Sequence, residues 1–325
     1  MTMLLLPKTS RNGLVNSGLI YFFSLFGIRK DFKDKELMEK RHSSYEIKPL
    51  GIQDIEQAIK LSNAENWNQT EKDWDLLIRN PRNICMCVHD QKKIIGTATA
   101  INYNDEIAWI GMVLVDCGFR GKGISKMLLN SLFENLKSCK SVKLDATPAG
   151  QPVYKKYGFK DEFLIHRMTA SCINLQPTTE SLFLRQILVS DIEAVTRFDR
   201  KISGANRKQL IEYLVNNFSE NSWMLISNGQ ITGIALGRKG AHFYQVGPVM
   251  ALNPENAKIL VLKSLEKLSG KPVVIDIPDD KKELIKWLKS IGFSTQRHFI
   301  RMYQNENLLP GIPENQFLIC GPEFG

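Results

Sequence analysis

The chain repeats itself, and that limits its fold more than composition does. IIGTATA, around Gly96, returns as ITGIALG around Gly233, 137 positions later. WIGMVLV around Gly111 returns as QVGPVMA around Gly247, 136 later. VKLDATP around Asp145 returns as VVIDIPD around Asp276, 131 later. YKKYGF ending at Phe159 and HRM ending at Met168 return as WLKSIGF ending at Phe293 and IRM ending at Met302, both 134 later. IEQA after Asp54 pairs with IEAV after Asp191, again 137 apart. The matches keep one order and the offsets drift by a few residues, as loop insertions produce and chance does not. The expected organisation is a leader and linker over 1–44, a first copy over 45–170, a joint over 171–181 marked by Pro177, a second copy over 182–304, and a tail over 305–325.

Each copy follows the same order. In the first, Ile52, Ile55, Ala58, Ile59 and Leu61 keep a helical period. Two strands follow (NICMCVHD and KIIGTATAIN), then a strand (EIAWIGMVLV), a turn, and a helix with Ile124, Leu128, Leu132 and Leu136 on one face. A buried strand (SVKLDA), a short helix (GQPVYKKYG) and a last strand (EFLIHRM) complete it. The order predicts an α/β class built on a mixed sheet, in α+β style, made twice.

Other features narrow the class. With 43 cations against 34 anions, the net charge of +9 suits an anionic ligand, but no basic run with interleaved aromatics argues for nucleic acid. The six cysteines form no C-x-x-C pair, and no His or Cys spacing suggests a metal. Cys85 and Cys87 alternate in a strand, as buried thiols do, which fits a reducing compartment and a cytoplasmic chain. The apolar run Gly18–Ile28 is too short to span a membrane. The first thirty residues hold Lys8, Arg11, Arg29 and Lys30 without an acid, so an organelle or membrane address through 1–30 stays open.

The chemistry concentrates at FRGKGIS, Phe119–Ser125. A strand feeding a glycine turn and a helix N-terminus makes an anion site, because the first helical N–H groups lack intrahelical partners and the helix dipole is positive there. Gly121 and Gly123 let the backbone approach a ligand, and Arg120 and Lys122 add charge. The stretch MVLVDCGFRGKGISKMLL resembles motif A of the GCN5-related N-acetyltransferase superfamily, written R/Q-x-x-G-x-G/A, and here Arg120-Gly121-Lys122-Gly123-Ile124-Ser125. Tyr154-Lys155-Lys156-Tyr157-Gly158-Phe159 resembles the Y-x-x-x-G-F end of the family's next motif. The resemblance implies two tandem acyl-CoA N-acyltransferase folds with acetyl-CoA as co-substrate and no metal. It implies that Val113, Leu114 and Val115 meet the pantetheine arm, that Arg120, Gly121, Lys122, Gly123, Ile124 and Ser125 hold the pyrophosphate, and that Tyr154 protonates the leaving thiolate. Ser125 stands where the family has Gly or Ala, Thr147 near a common asparagine, and no glutamate lies beside Trp109–Met112. Asp145 is then the candidate base, beside a water-mediated route and a purely structural role for the same residue.

The second copy reads VGPVMALNPENAKILVLKSL over Val246–Leu265, with neither glycine nor cation at the turn, and Trp287 rather than a tyrosine in its short helix. Glu255 there would repel a phosphate. The expectation is one catalytic copy, the first, and a degenerate second copy that walls the cleft or supports a homodimer. The acceptor expected is a small-molecule primary amine, with a protein amine, a non-catalytic acyl-CoA sensor and an aminoacyl-transferase as rivals.

Overall fold

The computed structural model describes residues 45–173, 175, 183–304 and 306–325. The leader and the greater part of the 171–181 joint lie outside the described residues. The first copy runs β1 (Glu46–Pro49), α1 (Ile55–Ala64), α2 (Glu71–Arg79), β2 (Ile84–Asp90), β3 (Lys93–Tyr103), β4 (Ile107–Val115), α3 (Ile124–Asn135), β5 (Ser141–Ala146), α4 (Gln151–Lys155) and β6 (Phe159–Ala170). The second runs β7 (Leu184–Gln186), α5 (Ile192–Ser203), α6 (Lys208–Asn217), β8 (Trp223–Ser227), β9 (Gln230–Lys239), β10 (Tyr244–Ala251), α7 (Pro254–Lys267), β11 (Val273–Pro278), α8 (Lys282–Ser290) and β12 (Ser294–Gln304), and β13 (Gln316–Leu318) follows. Two elements of the first copy, β1 and α2, were not anticipated. The capping box at Thr70–Asp73, which starts α2, is a local signal for it.

All the strands join one mixed sheet in the order β1-β2-β3-β4-β5-β12-β6-β11-β10-β9-β8-β7, with β13 against β10. The pairs β4–β5 and β10–β11 are parallel, and the remaining pairs are antiparallel. The centre is an exchange. β12, from the second copy, pairs with β5 of the first (Arg301 opposite Asp145), and β6, from the first, pairs with β11 of the second (Arg167 opposite Asp276). β6 and β12 pair with each other between them. Each copy thus lends its last strand to the other's sheet, and neither half of the sheet belongs to one copy alone.

Side chains seal the exchange twice in the same way. Arg301 donates from Nε and Nη2 to the two Asp145 oxygens, each at 2.9 Å, and Arg167 donates likewise to Asp276 at 2.7 Å. All four side chains are buried. The planar guanidinium fork matches the carboxylate in both places. Asp145 and Asp276 are repeat equivalents, as are Arg167 and Arg301, so the pairing belongs to the doubled fold.

Candidate functional site

β4 and β5 run parallel only from Ile107–Ile110 against Ser141–Leu144, and beyond that register they part. On its other edge β4 stays hydrogen-bonded to β3 as far as Val115. The register slips between Thr97 and Thr99, a bulge that puts Met112 at φ 50. Thr97 Oγ1 donates to the Met112 carbonyl at 2.9 Å and Thr99 Oγ1 to the Gly111 carbonyl at 3.1 Å. A non-glycine residue at positive φ costs energy and persists where its surroundings hold it, often at a site.

The opening between the strands leads into a cavity of about 230 Å³. Gly111, Met112 and Val113 form one wall, Asp145 and Thr147 the other, and Ser125 of α3 and Tyr154 of α4 line the same space. Burial pushes the Tyr154 phenol up to about 12, so it is protonated at neutral pH. Its ring meets Phe159 edge-on at 5.9 Å.

The residues singled out from the sequence do not all gather there. Val113, Ser125, Tyr154 and Asp145 line this cavity, whereas Leu114 and Val115 line a separate cleft with Glu65 and Lys93. Arg120, Gly121 and Lys122 are exposed on the turn. Arg120 donates to Glu65 and to the Val115 carbonyl, and the Lys122 ammonium sits over the Phe119 ring at 4.3 Å. Any anion contact of this turn therefore falls first to its backbone. Gly121 and Gly123 adopt φ 76 and 80, a region only glycine enters freely, and Gly123 precedes α3 without a capping side chain. The first donor to turn inward is Met127, onto the Gly123 carbonyl at 3.0 Å, so the earlier N–H groups of α3 point outward. Asp145 faces the cavity but gives both oxygens to Arg301. Burial raises its pKa and Arg301 opposes this.

The second copy builds the corresponding place differently. β10 and β11 also part, after Val246 and Ile275. Here β13 fills the opening, with Leu318 opposite Val249 and Gln316 opposite Met250, and the Ile319 N–H donates to the Asp276 carbonyl at 3.0 Å. The start of α7 is closed by its own residues, since the Asn253 side chain accepts from the Asn256 N–H at 2.8 Å and Pro254 has no N–H to offer.

After β13 the chain crosses to the first copy. Pro322 and Glu323 line the first copy's cavity, and the Pro322 and Phe324 carbonyls accept from Trp109 Nε1 at 2.9 Å and Tyr103 Oη at 2.8 Å. The repeat-matched glycines make room for this segment. A Cβ on Gly247 would lie 2.0 Å from the Ile319 carbonyl oxygen, and one on Gly111 3.0 Å from Glu323 Cα. Trp67, Gln69, Arg297 and Glu323 also line the cavity and were not found in the sequence. Only the paired glycines at 111 and 247 hinted at the tail's course. Among the described residues, no helix is long and apolar enough to cross a membrane, and no group of three or more His, Cys, Asp or Glu is placed to hold a metal.

Comparison with known proteins agrees with this architecture. Residues 51–159 match the model of the acetyltransferase (GNAT) family, and residues 195–318 that of an acetyltransferase (GNAT) domain. A holothin acyltransferase of Pseudoalteromonas sp. (strain SANK 73390) is 25% identical over 84% of this chain and 92% of its own length. A putative acetyltransferase from Pyrococcus horikoshii superposes with a TM-score of 0.72 at 21% identity, covering 87% of this chain and 96% of that one. A tandem GNAT protein from the clavulanic acid biosynthesis pathway does so with a TM-score of 0.56 at 13% identity, covering 80% and 98%. The chain belongs to the GCN5-related N-acetyltransferase superfamily, as a member with two tandem copies of the fold.

Proposed function

We propose that the chain transfers an acetyl group from acetyl-CoA to a primary amine of a small molecule, at one site in the first copy. The observation that carries this is the contrast between the copies. One parted strand pair opens to a cavity and an uncapped helix start, while the other is filled by β13 and capped by Asn253. The first arrangement fits an acyl-CoA: outward N–H groups at α3 suit a pyrophosphate, and the gap beside Val113 suits an extended pantetheine arm. A small acceptor is favoured because the cavity, also lined by Trp67, Pro322 and Glu323, holds only about 230 Å³.

In this reading the neutral amine attacks the acyl carbon. A C–N bond forms, the C–S bond breaks, and the leaving sulfur takes the Tyr154 phenolic proton while the amine gives up one of its own. The bulge at Met112 supplies backbone polarity beside the reacting carbonyl. Asp145 is set aside as the base, since Arg301 occupies both its oxygens and Asp276–Arg167 repeats the pair where no coenzyme gap is open.

Coenzyme binding to the native state should raise the melting temperature. Gly123→Glu should abolish that rise, and Glu255→Lys in the second copy should leave it and the turnover intact. Tyr154→Phe should keep the rise while thiol release with an amine panel falls about 10²–10⁴-fold. An undiminished shift in the Gly123 variant would falsify the placement.

A further inference from the structure

Four charged side chains line the cavity: Asp145, Arg167, Arg297 and Glu323. Two are neutralised across the sheet, Asp145 by Arg301 and Arg167 by Asp276. The other two are not. Glu323, only 3% exposed, accepts from Arg238 through Oε1, while its Oε2 is buried without a partner. Arg238 is itself shared, since its Nη1 lies 2.7 Å from Asp73. One cation between two carboxylates leaves a surplus negative charge, and Glu323 Oε2 is the oxygen of this group without a partner. Arg297 comes from β12 where the register with β6 slips, and its Nε is buried without a partner. Among the described residues it forms no ion pair. Burial and Arg167 lower its pKa, and Asp276 and Glu323 pull the other way, so Glu323 is near enough to be felt although the two do not pair.

Buried charges without partners are costly, and this fold pairs them elsewhere. Here a surplus anion and a surplus cation line one cavity, and among the described residues the two form no ion pair with each other. Their sum is neutral. A simple ammonium would answer Glu323 and leave Arg297 unmatched, and a simple anion would do the reverse. We propose that the acceptor is a zwitterion of the amino-acid type, with its amine on Glu323 Oε2 and its carboxylate on Arg297. Glu323 packs its backbone and Cβ over Gly111, next to the Met112 bulge, so the residue borders the parted strands. The inference rests on the acyl-transfer reading above and names its acceptor. The bound ammonium first gives one proton to Glu323 Oε2, and the neutral amine so formed makes the C–N bond. As the C–S bond breaks the sulfur takes the Tyr154 proton, and the second proton of the nitrogen leaves to solvent. Exchange with solvent restores both groups. The first copy then holds the coenzyme, and residues of the second-copy sequence and the tail read the acceptor.

The test uses the full chain with acetyl-CoA and a panel of α-, β- and γ-amino acids, each beside the same amine lacking the carboxylate. Thiol release gives kcat/KM, and a thermal shift with acetyl-CoA is read in parallel. The amino acids should be preferred about ten- to a hundredfold, the scale of a charged hydrogen bond. Arg297→Met should erase that preference by raising KM for the amino acids, with the acetyl-CoA thermal shift retained. Arg297→Lys should restore part of it. Glu323→Gln should lower kcat for every amine and leave the coenzyme shift intact. Equal use of the decarboxylated amines, or turnover of neither class with the coenzyme shift present, overturns the zwitterion and spares the coenzyme site. Loss of the coenzyme shift in the wild type takes down both.

Discussion

Asp145 illustrates how a residue's role depends on what faces it. From the sequence it is, with Asp105 and Glu106, among the acids nearest the motif A strand, and it lines the cavity. What the sequence hid was its partner, 156 positions away on a strand lent by the other copy. If its task is the one that geometry suggests, Asp145→Asn acts on stability, since removing one member of a buried pair costs about 3–5 kcal/mol. Asp276→Asn, at the equivalent place on the second copy's strand, should cost a similar amount. Chemical denaturation of both variants checks this. A stable but inactive Asp145→Asn enzyme would restore it as the base. The motif that singles out Tyr154 is local, running from β5 to β6, whereas the cavity it lines also draws on β4, α3, β12 and the tail.

At the scale of elements, most of the repeat could be read. The strands β2 to β6 and the helix α3 follow runs whose periodicity is local. Where the tail docks is not legible in the sequence, because β13 is only three residues long and pairs with a strand more than sixty positions earlier. Its position ties the copies together, since the residues that block the second gap lead directly to Glu323 in the first cavity. A substitution beside β13 should therefore be felt at a distance. Gly247→Ala puts a methyl group 2.0 Å from the Ile319 oxygen, at φ +146, and must shift the segment. Overpacking of this kind costs about 1–3 kcal/mol. Beyond that loss, kcat/KM for the amine should fall while acetyl-CoA binding holds, although the residue lies in the copy without a coenzyme gap. An unchanged kcat/KM would show that the tail does not shape the acceptor site.

Over the whole molecule, the repeat predicted two copies but not that they trade strands. Internal similarity reports which segments are alike and not which ones touch. The exchange has a consequence for folding. A chain of 45–175 alone would leave β5 without β12 on its inner edge and β6 without either neighbour, β12 or β11. It would also leave Asp145 and Arg167 buried with no countercharge. Yet β6 carries Arg167 at the repeat position of Arg301, and β5 carries Asp145 at that of Asp276. A second copy of the same fragment can therefore supply the missing strand, each β6 lying against the other's β5 and each Arg167 against the other's Asp145, as identical chains do in domain swapping. The fragment should be a dimer by light scattering, and Arg167→Met should reduce it to unfolded or aggregated chain. A stable, folded monomer would mean that the lent strands are dispensable and that the copies could have stayed separate domains.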